Sequence, residues 1–300
     1  MIMKLNLDHL VVIDAIATHG SFAAAAQILH RVPSALTYSV QKLEQDLSVQ
    51  LFDRSGHRAV LTAAGVTLLR DGRYLLDAAR ELESRVQRIA AGVEVELRIA
   101  VSDLIDWQLL YVGLNAFYAQ GFGTRLRVST EVFGGCWDAL VDGRADLVIG
   151  APSDGPGGGG YVTHAMGVVD FVFAVAPDHP LADYPEPLQV VDIVKFRAVS
   201  AADSSRQLPA RTSGLINGQD VLTVPHMTAK LLAQEAGLGV GYLPKALAMT
   251  AQANGRLVIK TVAEPKSSAQ FFMAWNSHHH GLALAWLVDY WKSHPLWENA

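Results

Sequence analysis

The chain has 300 residues, half of them apolar and 18% charged, with a net charge of −5. That length suits two or three domains, and that composition excludes a disordered or collagen-like chain. A lone cysteine, Cys136, rules out an intrachain disulfide and fits a reducing cytoplasm, while the acidic balance argues against a protein that simply coats nucleic acid. No apolar run reaches ~18 residues, and the N-terminal MIMKLNLDHL soon meets Asp8 and His9, so neither a membrane span nor a signal peptide is expected. Residues 1–92 hold ten Lys or Arg against nine Asp or Glu, a balance of +1 that leaves −6 for the rest. A slightly positive front on an acidic body fits a molecule whose first third alone touches phosphate. So small an excess would need dimerisation to add up contacts.

In chain order, residues 7–18 read as a helix with Leu10, Ile13 and Ala17 along one face, ended by His19-Gly20. Ser21 can cap a second helix over 22–29, whose alanine run 23–26 leaves room for a close crossing. His30, Arg31 and Val32 make a turn, and Pro33 suits the first position of a third helix. From there Leu36, Val40, Leu43 and Leu47 fall on one face at ~100° per residue. The opposite face carries Ser34, Thr37, Tyr38, Gln41 and Gln45, with Lys42 at its edge. Short donors and acceptors held opposite a buried ridge can read base edges in a major groove. The layout is that of a helix-turn-helix. Leu51-Phe52 and Val60-Leu61 then flank a two-stranded wing, with Arg54, His57 and Arg58 placed for phosphates.

Thr62 caps a long helix running to about residue 90. Leu68, Leu75, Leu82 and Ile89 recur every seven residues, and Gly72, Ala79 and Val86 recur at the same interval, offset by four. This is a seam for another helix, packed either on the chain's own body or on a second copy. The second is preferred, because ~27 residues reach ~40 Å. Ala91-Gly92 marks a boundary, after which strands and helices alternate. Strands are expected at 98–101, 127–133, 145–149, 171–176, 196–199, 221–224, 240–243, 257–259 and 271–275. Helices are expected at 107–119, 137–142, 227–236, 244–253 and 282–292. Such alternation means α/β with a mostly parallel sheet, and nine strands imply two subdomains.

AAAAQILHRVPSAL, then KLEQDL, LFDR and LTAAG, in this order and spacing, resemble the LysR-type transcriptional regulators. Their pattern is AAxxL, a turn, S/P-A-L/V-S, a polar stretch, LE, LFxR and LTxAG. Tyr38 and Ser39 stand where Arg, Lys or Gln is common, which bears on base preference. DALVDGRADLVIG, AVAPDHPLAD and AGLGVGYLP are similar to landmarks of the family's effector domain. The resemblance implies an α/β chain with a winged helix-turn-helix over 1–62, a linker helix over 63–91 that pairs antiparallel between subunits, and an effector domain over 92–300. That domain would be two-lobed and periplasmic-binding-protein-like, with lobe one at ~95–166 plus 269–300 and lobe two at ~167–268. It further implies double-stranded operator DNA, a small-molecule effector, a homodimer or homotetramer, contact with RNA polymerase, and no cofactor.

Ligands of open α/β sheets sit at strand C-terminal ends. Here those are Ser102-Asp103, Phe133-Gly134, Ala151-Pro152, Ser200-Ala201 and Pro225-His226. By equivalence with the family, Ser102 and Ser200 lead, with Asp103, Phe133, Pro152 and His226 beside them. Either serine could instead cap a helix. Arg206 could pair with an effector carboxylate or sit on a solvated loop. The glycine-rich 153–160 lacks a following Gly-Lys-Ser/Thr and reads as a mobile loop over the cleft. The triple histidine at 278–280 has no carboxylate or cysteine beside it in sequence, so no metal site is expected. Cys136 reads as a buried small residue rather than a redox sensor. No catalytic motif is present, so an enzyme is not expected. The alternative to a regulator is a cytoplasmic solute-binding protein without transcriptional activity.

Overall fold

The computed structural model describes residues 4–53, 60–153, 155–157, 159–279 and 281–297. The chain divides into two units, Met1–Ala90 and Ala91–Ala300.

In the first unit, α1 (Leu7–His19) begins at Asn6, whose side chain accepts from the His9 N–H, and ends at Gly20 in the left-handed conformation, φ 73°. Helix α2 (Phe22–Ile28) is capped by Ser21, which accepts from the Ala24 N–H. Helix α3 (Pro33–Leu47) starts on proline. The core closes on Val12, Ile13, Ile16, Ala25, Ala26, Leu36, Val40 and Leu43. Burying each large aliphatic contributes about 1.5–3 kcal/mol. Two details differ from expectation. The buried face of α1 is wider than Leu10, Ile13 and Ala17, because α2, α3 and the helix that follows all pack against it; Val12, Ala15 and Ile16 are buried and Ala17 only half so. Leu47, in the last turn of α3, is exposed.

Strands β1 (Phe52–Asp53) and β2 (Val60–Leu61) pair antiparallel as the base of the wing. Helix α4 (Ala63–Ala90) is capped by Thr62, whose hydroxyl donates to the Gln50 carbonyl (2.7 Å) and accepts from the Gly65 N–H (3.1 Å). The seven-residue ridge along α4 divides. Leu68 packs on the head's core and Gly72 lies against Leu10, whereas Leu75, Leu82, Val86 and Ile89 are all more than half exposed.

The second unit holds two lobes. Lobe one is built from β3 (Glu96–Ser102), α5 (Trp107–Ala119), β4 (Arg125–Glu131), α6 (Gly135–Val141), β5 (Leu147–Pro152) and β6 (Tyr161–Val169). Lobe two contains β7 (Phe171–Val175), a 3-10 turn at Pro180–Ala182, α7 (Val190–Ile193), β8 (Ala198–Ala201), β9 (Val221–Val224), α8 (Met227–Glu235), β10 (Gly241–Pro244), α9 (Lys245–Ala253) and β11 (Val258–Lys260). The chain then returns to lobe one for β12 (Ala269–Asn276) and α10 (Leu282–Ser293).

The lobe-one sheet is mixed, and lobe two divides into an antiparallel three-stranded sheet and a parallel pair, rather than either being mostly parallel. In lobe one the order is β4-β3-β5-β12-β6, with β3 parallel to β4 and β5, and β12 antiparallel to both its neighbours. In lobe two, β7 pairs antiparallel with β10 and β11, and β8 parallel with β9; a bridge from Ala198 to Val240 joins the sets. Strand β6 was not expected. It is an edge strand with a largely exposed face, so Thr163, His164 and Gly167 break the apolar pattern that marks central strands. It carries lobe one on to Val169, three residues past the expected boundary. Lobe one's core lies between the sheet and α5 and α10, around Leu97, Ile99, Phe117, Ile149 and Trp291.

Gly65 shows how closely α4 seats on the head: a Cβ there would stand 2.1 Å from the Leu51 carbonyl oxygen and 2.8 Å from Leu61 Cδ2. Gly65→Ala is expected to destabilise the first unit by about 1–3 kcal/mol, since backbone must give way. Thermal melting of the variant checks this.

Candidate functional sites: a polar helix face and an inter-lobe cleft

On α3 the burial of Leu36, Val40 and Leu43 turns the other face outward. Ser34, Gln41, Lys42 and Gln45 are exposed, and Tyr38 is 69% exposed. Thr37 is half-buried, and its hydroxyl donates to the Pro33 carbonyl (3.0 Å). Lys42 pairs with Asp46 at 3.2 Å, a surface contact that costs little to exchange for phosphate. Ser34, Tyr38, Gln41 and Gln45 have no side-chain hydrogen bond among the described residues. In the turn before α3, His30 takes a left-handed conformation (φ 54°), and Arg31 reaches back to both Asp8 oxygens at 2.7 and 2.9 Å. Arg54, His57 and Arg58 lie outside the described residues.

Between the two lobes of the second unit lies a cavity of about 180 Å³. Ser102, Asp103, Phe133 and Pro152 line it, as expected from the strand ends. Three candidates do not. Ser200 is buried in β8, its hydroxyl directed at the Ala201 carbonyl. Arg206 is exposed to solvent. His226 caps α8, its Nδ1 accepting from the Ala229 N–H (3.1 Å). In their place the cavity receives Arg211, Thr212 and Ser213 from residues 202–220, and Lys266 from the second crossing between lobes. The polar run Arg211-Thr-Ser and the crossing itself were the available signals.

The stretch 202–220 has no regular structure and acts as a strap. Its start is fastened to lobe one. Ser204 accepts from the Val132 N–H (2.8 Å) and donates to Glu131 (2.6 Å). Asp203 accepts from the Gly134 N–H (3.1 Å) and from the strap's own Arg211 N–H (2.7 Å). The Gln207 and Leu208 N–H groups donate to Asp138 at 2.8 and 2.7 Å. Arg144 bridges Glu131 (2.6 Å) and Asp138 (2.8 Å) from behind. Gly135 permits this approach, for a Cβ there would lie 1.9 Å from Ser204 Oγ. Across the cleft, Asp103 accepts from the Met227 N–H at the start of α8 (2.7 Å), and burial pushes its carboxyl up.

The cleft's cations are uncompensated. Neither Arg211 nor Lys266 has a carboxylate partner among the described residues. Lys266 Nζ rests 3.7 Å over the Phe171 ring, and burial lowers it to about 8. Buried Lys230 nearby is lowered to about 7, by desolvation first and by the charge of Lys266 second. An ammonium lowered by burial, as Lys266 is, regains its charge when an anion is placed beside it.

Elsewhere, Cys136 is fully buried and its thiol is pushed well up by desolvation, the state of an inert cysteine. The fold brings Glu94 to His279 Nε2 at 3.0 Å, a carboxylate the linear sequence did not place there. Glu94 also accepts from the first N–H groups of α10, and no cluster of three metal-ligating side chains occurs among the described residues. No single described helix is long and apolar enough to cross a membrane.

A winged helix-turn-helix followed by a two-lobed binding body defines a ligand-responsive DNA-binding regulator. Residues 7–66 match the bacterial regulatory helix-turn-helix protein, lysR family, and residues 90–295 match the LysR substrate binding domain. The chain is 42% identical to the uncharacterized HTH-type transcriptional regulator YeeY of Escherichia coli K12, over 96% of this chain and 93% of that one. It is 40% identical to the probable HTH-type transcriptional regulator YhaJ of the same organism, over 95% of each. Its fold resembles that of full-length CbnR in a complex with its target DNA, with a TM-score of 0.50 at 20% identity, covering 96% of this chain and 99% of that one. The chain belongs to the LysR family of transcriptional regulators. Members of this family bind DNA and small-molecule effectors and form oligomers; they are regulators rather than enzymes.

The strap's anchor makes a pH prediction. Burial raises the Asp138 carboxyl, but the Leu208 N–H, Arg144 and the Gln207 N–H more than offset this and hold it at about 2, against 3.8 unfolded. That depression contributes roughly 2 kcal/mol, present above the unfolded value and lost as pH falls from about 4 toward 2. Asp138→Asn is expected to be less stable by roughly this amount at neutral pH, with the gap closing across that acid window. Denaturant unfolding at several pH values measures it.

Proposed function

We propose that α3 reads the operator through Ser34, Thr37, Tyr38, Gln41, Lys42 and Gln45, while Arg54, His57 and Arg58 of the wing hold phosphates. The carrying observation is that Ser34, Tyr38, Gln41 and Gln45 are exposed and make no side-chain hydrogen bond among the described residues, opposite Leu36, Val40 and Leu43. A helix face kept polar but not occupied by its own chain is available to base edges. The exposed half of the α4 ridge, Leu75, Ala79, Leu82, Val86 and Ile89, is the seam that pairs two subunits, so that two heads meet a dyad-symmetric site. A homotetramer and contact with RNA polymerase, in the cytoplasm, complete the reading.

The effector is a small anion, a carboxylate or phosphate, bound in the inter-lobe cleft by Arg211 and Lys266, with Ser102, Thr212 and Ser213 as hydroxyl partners. What supports this is a pair of cations that outnumber the one lining carboxyl, Asp103, and form no ion pair among the described residues, in a cavity of about 180 Å³. The Phe133, Phe171 and Phe271 rings supply apolar walls. Effector binding changes the relative stability of lobe arrangements, a coupling of typically ~1–3 kcal/mol, and so the geometry of the paired heads.

Gln41→Ala is expected to relax base preference at one operator position by about 1–3 kcal/mol. Arg58→Ala should instead weaken all sequences alike and reduce salt dependence. Selection from a randomised duplex pool, followed by titration at two salt concentrations, separates these; an unchanged preference in Gln41→Ala would mean that another face reads the bases.

Arg211→Ala is expected to abolish the effector's influence on DNA binding while leaving effector-free binding intact. Native mass spectrometry of the purified protein identifies the bound molecule, and gel retardation with and without it checks the variant. A neutral or cationic occupant would overturn the anion assignment.

A further inference from the structure

A second pocket, of about 220 Å³, lies entirely on lobe two, on the face of its sheet turned away from α8 and α9. Phe173, Val240 and Tyr242 form its floor, Leu188 and Ile193 a wall, and Ile216 of the strap its roof. Two of the polar side chains around it already have partners. The Gln219 amide donates to the Phe196 and Ile193 carbonyls (2.9 and 3.3 Å), and the Tyr242 hydroxyl donates to the Glu264 carbonyl (2.8 Å). Two charged residues enter the lining, Glu264 and Lys266; Lys266, which has no anionic partner among the described residues, is shared with the inter-lobe cleft.

Well-packed interiors carry few voids larger than a water molecule. An apolar cavity of about 150 Å³ stays dry and takes up benzene. Here the space is larger, opens to solvent on one side, and mixes polar groups with its apolar floor and wall. Gly214 adopts φ 73°, and a Cβ on it would stand 2.9 Å from the Tyr242 ring, so glycine lets the strap pass directly over that ring. The same strap then runs from the pocket's roof at 214–219 through the cleft at 211–213 to its fastening on lobe one at 203–208.

From this geometry we infer that the lobe-two pocket is a second ligand site, for a mainly apolar molecule about the size of a substituted benzene, its polar end toward Lys266. Occupancy lifts or settles the roof, and the strap transmits that displacement to Arg211, Thr212 and Ser213. The coupling rests on the cleft reading above; the binding itself does not.

The test uses the full chain and p-cresol as the probe, followed by ligand-observed saturation-transfer NMR. Saturable binding at millimolar probe is expected, weakened about tenfold or more by Val240→Phe, which fills the floor. Ile216→Phe, on the half-exposed roof, gives the same loss should the floor variant not fold. Arg211→Ala should leave probe affinity unchanged. Absence of saturable binding, binding indifferent to both filling substitutions, or binding abolished by Arg211→Ala would overturn the second site; the last outcome would place the probe in the cleft and leave the first site standing. Hydrogen exchange should slow at 203–213 when the probe binds. Unaltered exchange there, with the probe bound, would overturn the coupling.

Discussion

The body of this regulator depends on a backbone approach that two glycines permit. At Gly134-Gly135 the strap comes so near that Ser204 Oγ occupies the place of a side chain. Everything that arms the cleft follows from that contact. Asp203 can accept from the Gly134 N–H and the Arg211 N–H together only because its turn sits this low on lobe one. Arg211 is thereby delivered to a cleft whose opposite wall belongs to β3 and β5. Charge secures the arrangement from behind, where Arg144 neutralises Glu131 and Asp138 in a site that water reaches poorly. A buried pair of this kind specifies geometry more than it adds stability, and here its free carboxylate lone pairs are spent on strap amides.

The head obeys a simpler rule. Three helices and a wing base share one small core, and the side chains of α3 that cannot enter it form an exposed polar face. Arg31 illustrates the economy: it belongs to the turn, yet both its terminal nitrogens are committed to Asp8 on α1, so it braces the turn rather than reaching outward. Helix α4 serves two masters along its length. Its first turns are part of the head's packing, through Gly65, Leu68 and Gly72, and its later turns present leucine, valine and isoleucine to solvent. One unbroken repeat therefore encodes two different burials.

Most elements were legible from local pattern because their periodicity was strong. The helices over Pro33–Leu47 and Trp107–Ala119 and the strand Val221–Val224 each carry a clear apolar rhythm with a capping or turn residue at the end. What was hidden was hidden for physical reasons. Strand β6 lies at a sheet edge and so lacks a continuous apolar run. The antiparallel return of β12 is a consequence of the second crossing, which no local signal announces. The rule that ligands gather at strand ends pointed to Ser102, Asp103, Phe133 and Pro152, and all four line the inter-lobe cavity. Ser200 satisfied the same rule but does not line the cavity, since its side chain is buried and turned to the Ala201 carbonyl. Arg211 and Lys266 lie on irregular chain, where spacing carries no geometric information, and only tertiary contacts bring them to the cleft.

One buried atom offers a view of how this body moves. Cys136 follows directly after Gly135 on α6, sealed between that helix and the sheet. A reagent can reach its sulfur only when α6 lifts, and α6 is the element to which the strap is fastened. Alkylation of the sole thiol is thus a natural clock for the loosening of lobe one. Its rate counts the moments at which the inter-lobe cleft loses its frame.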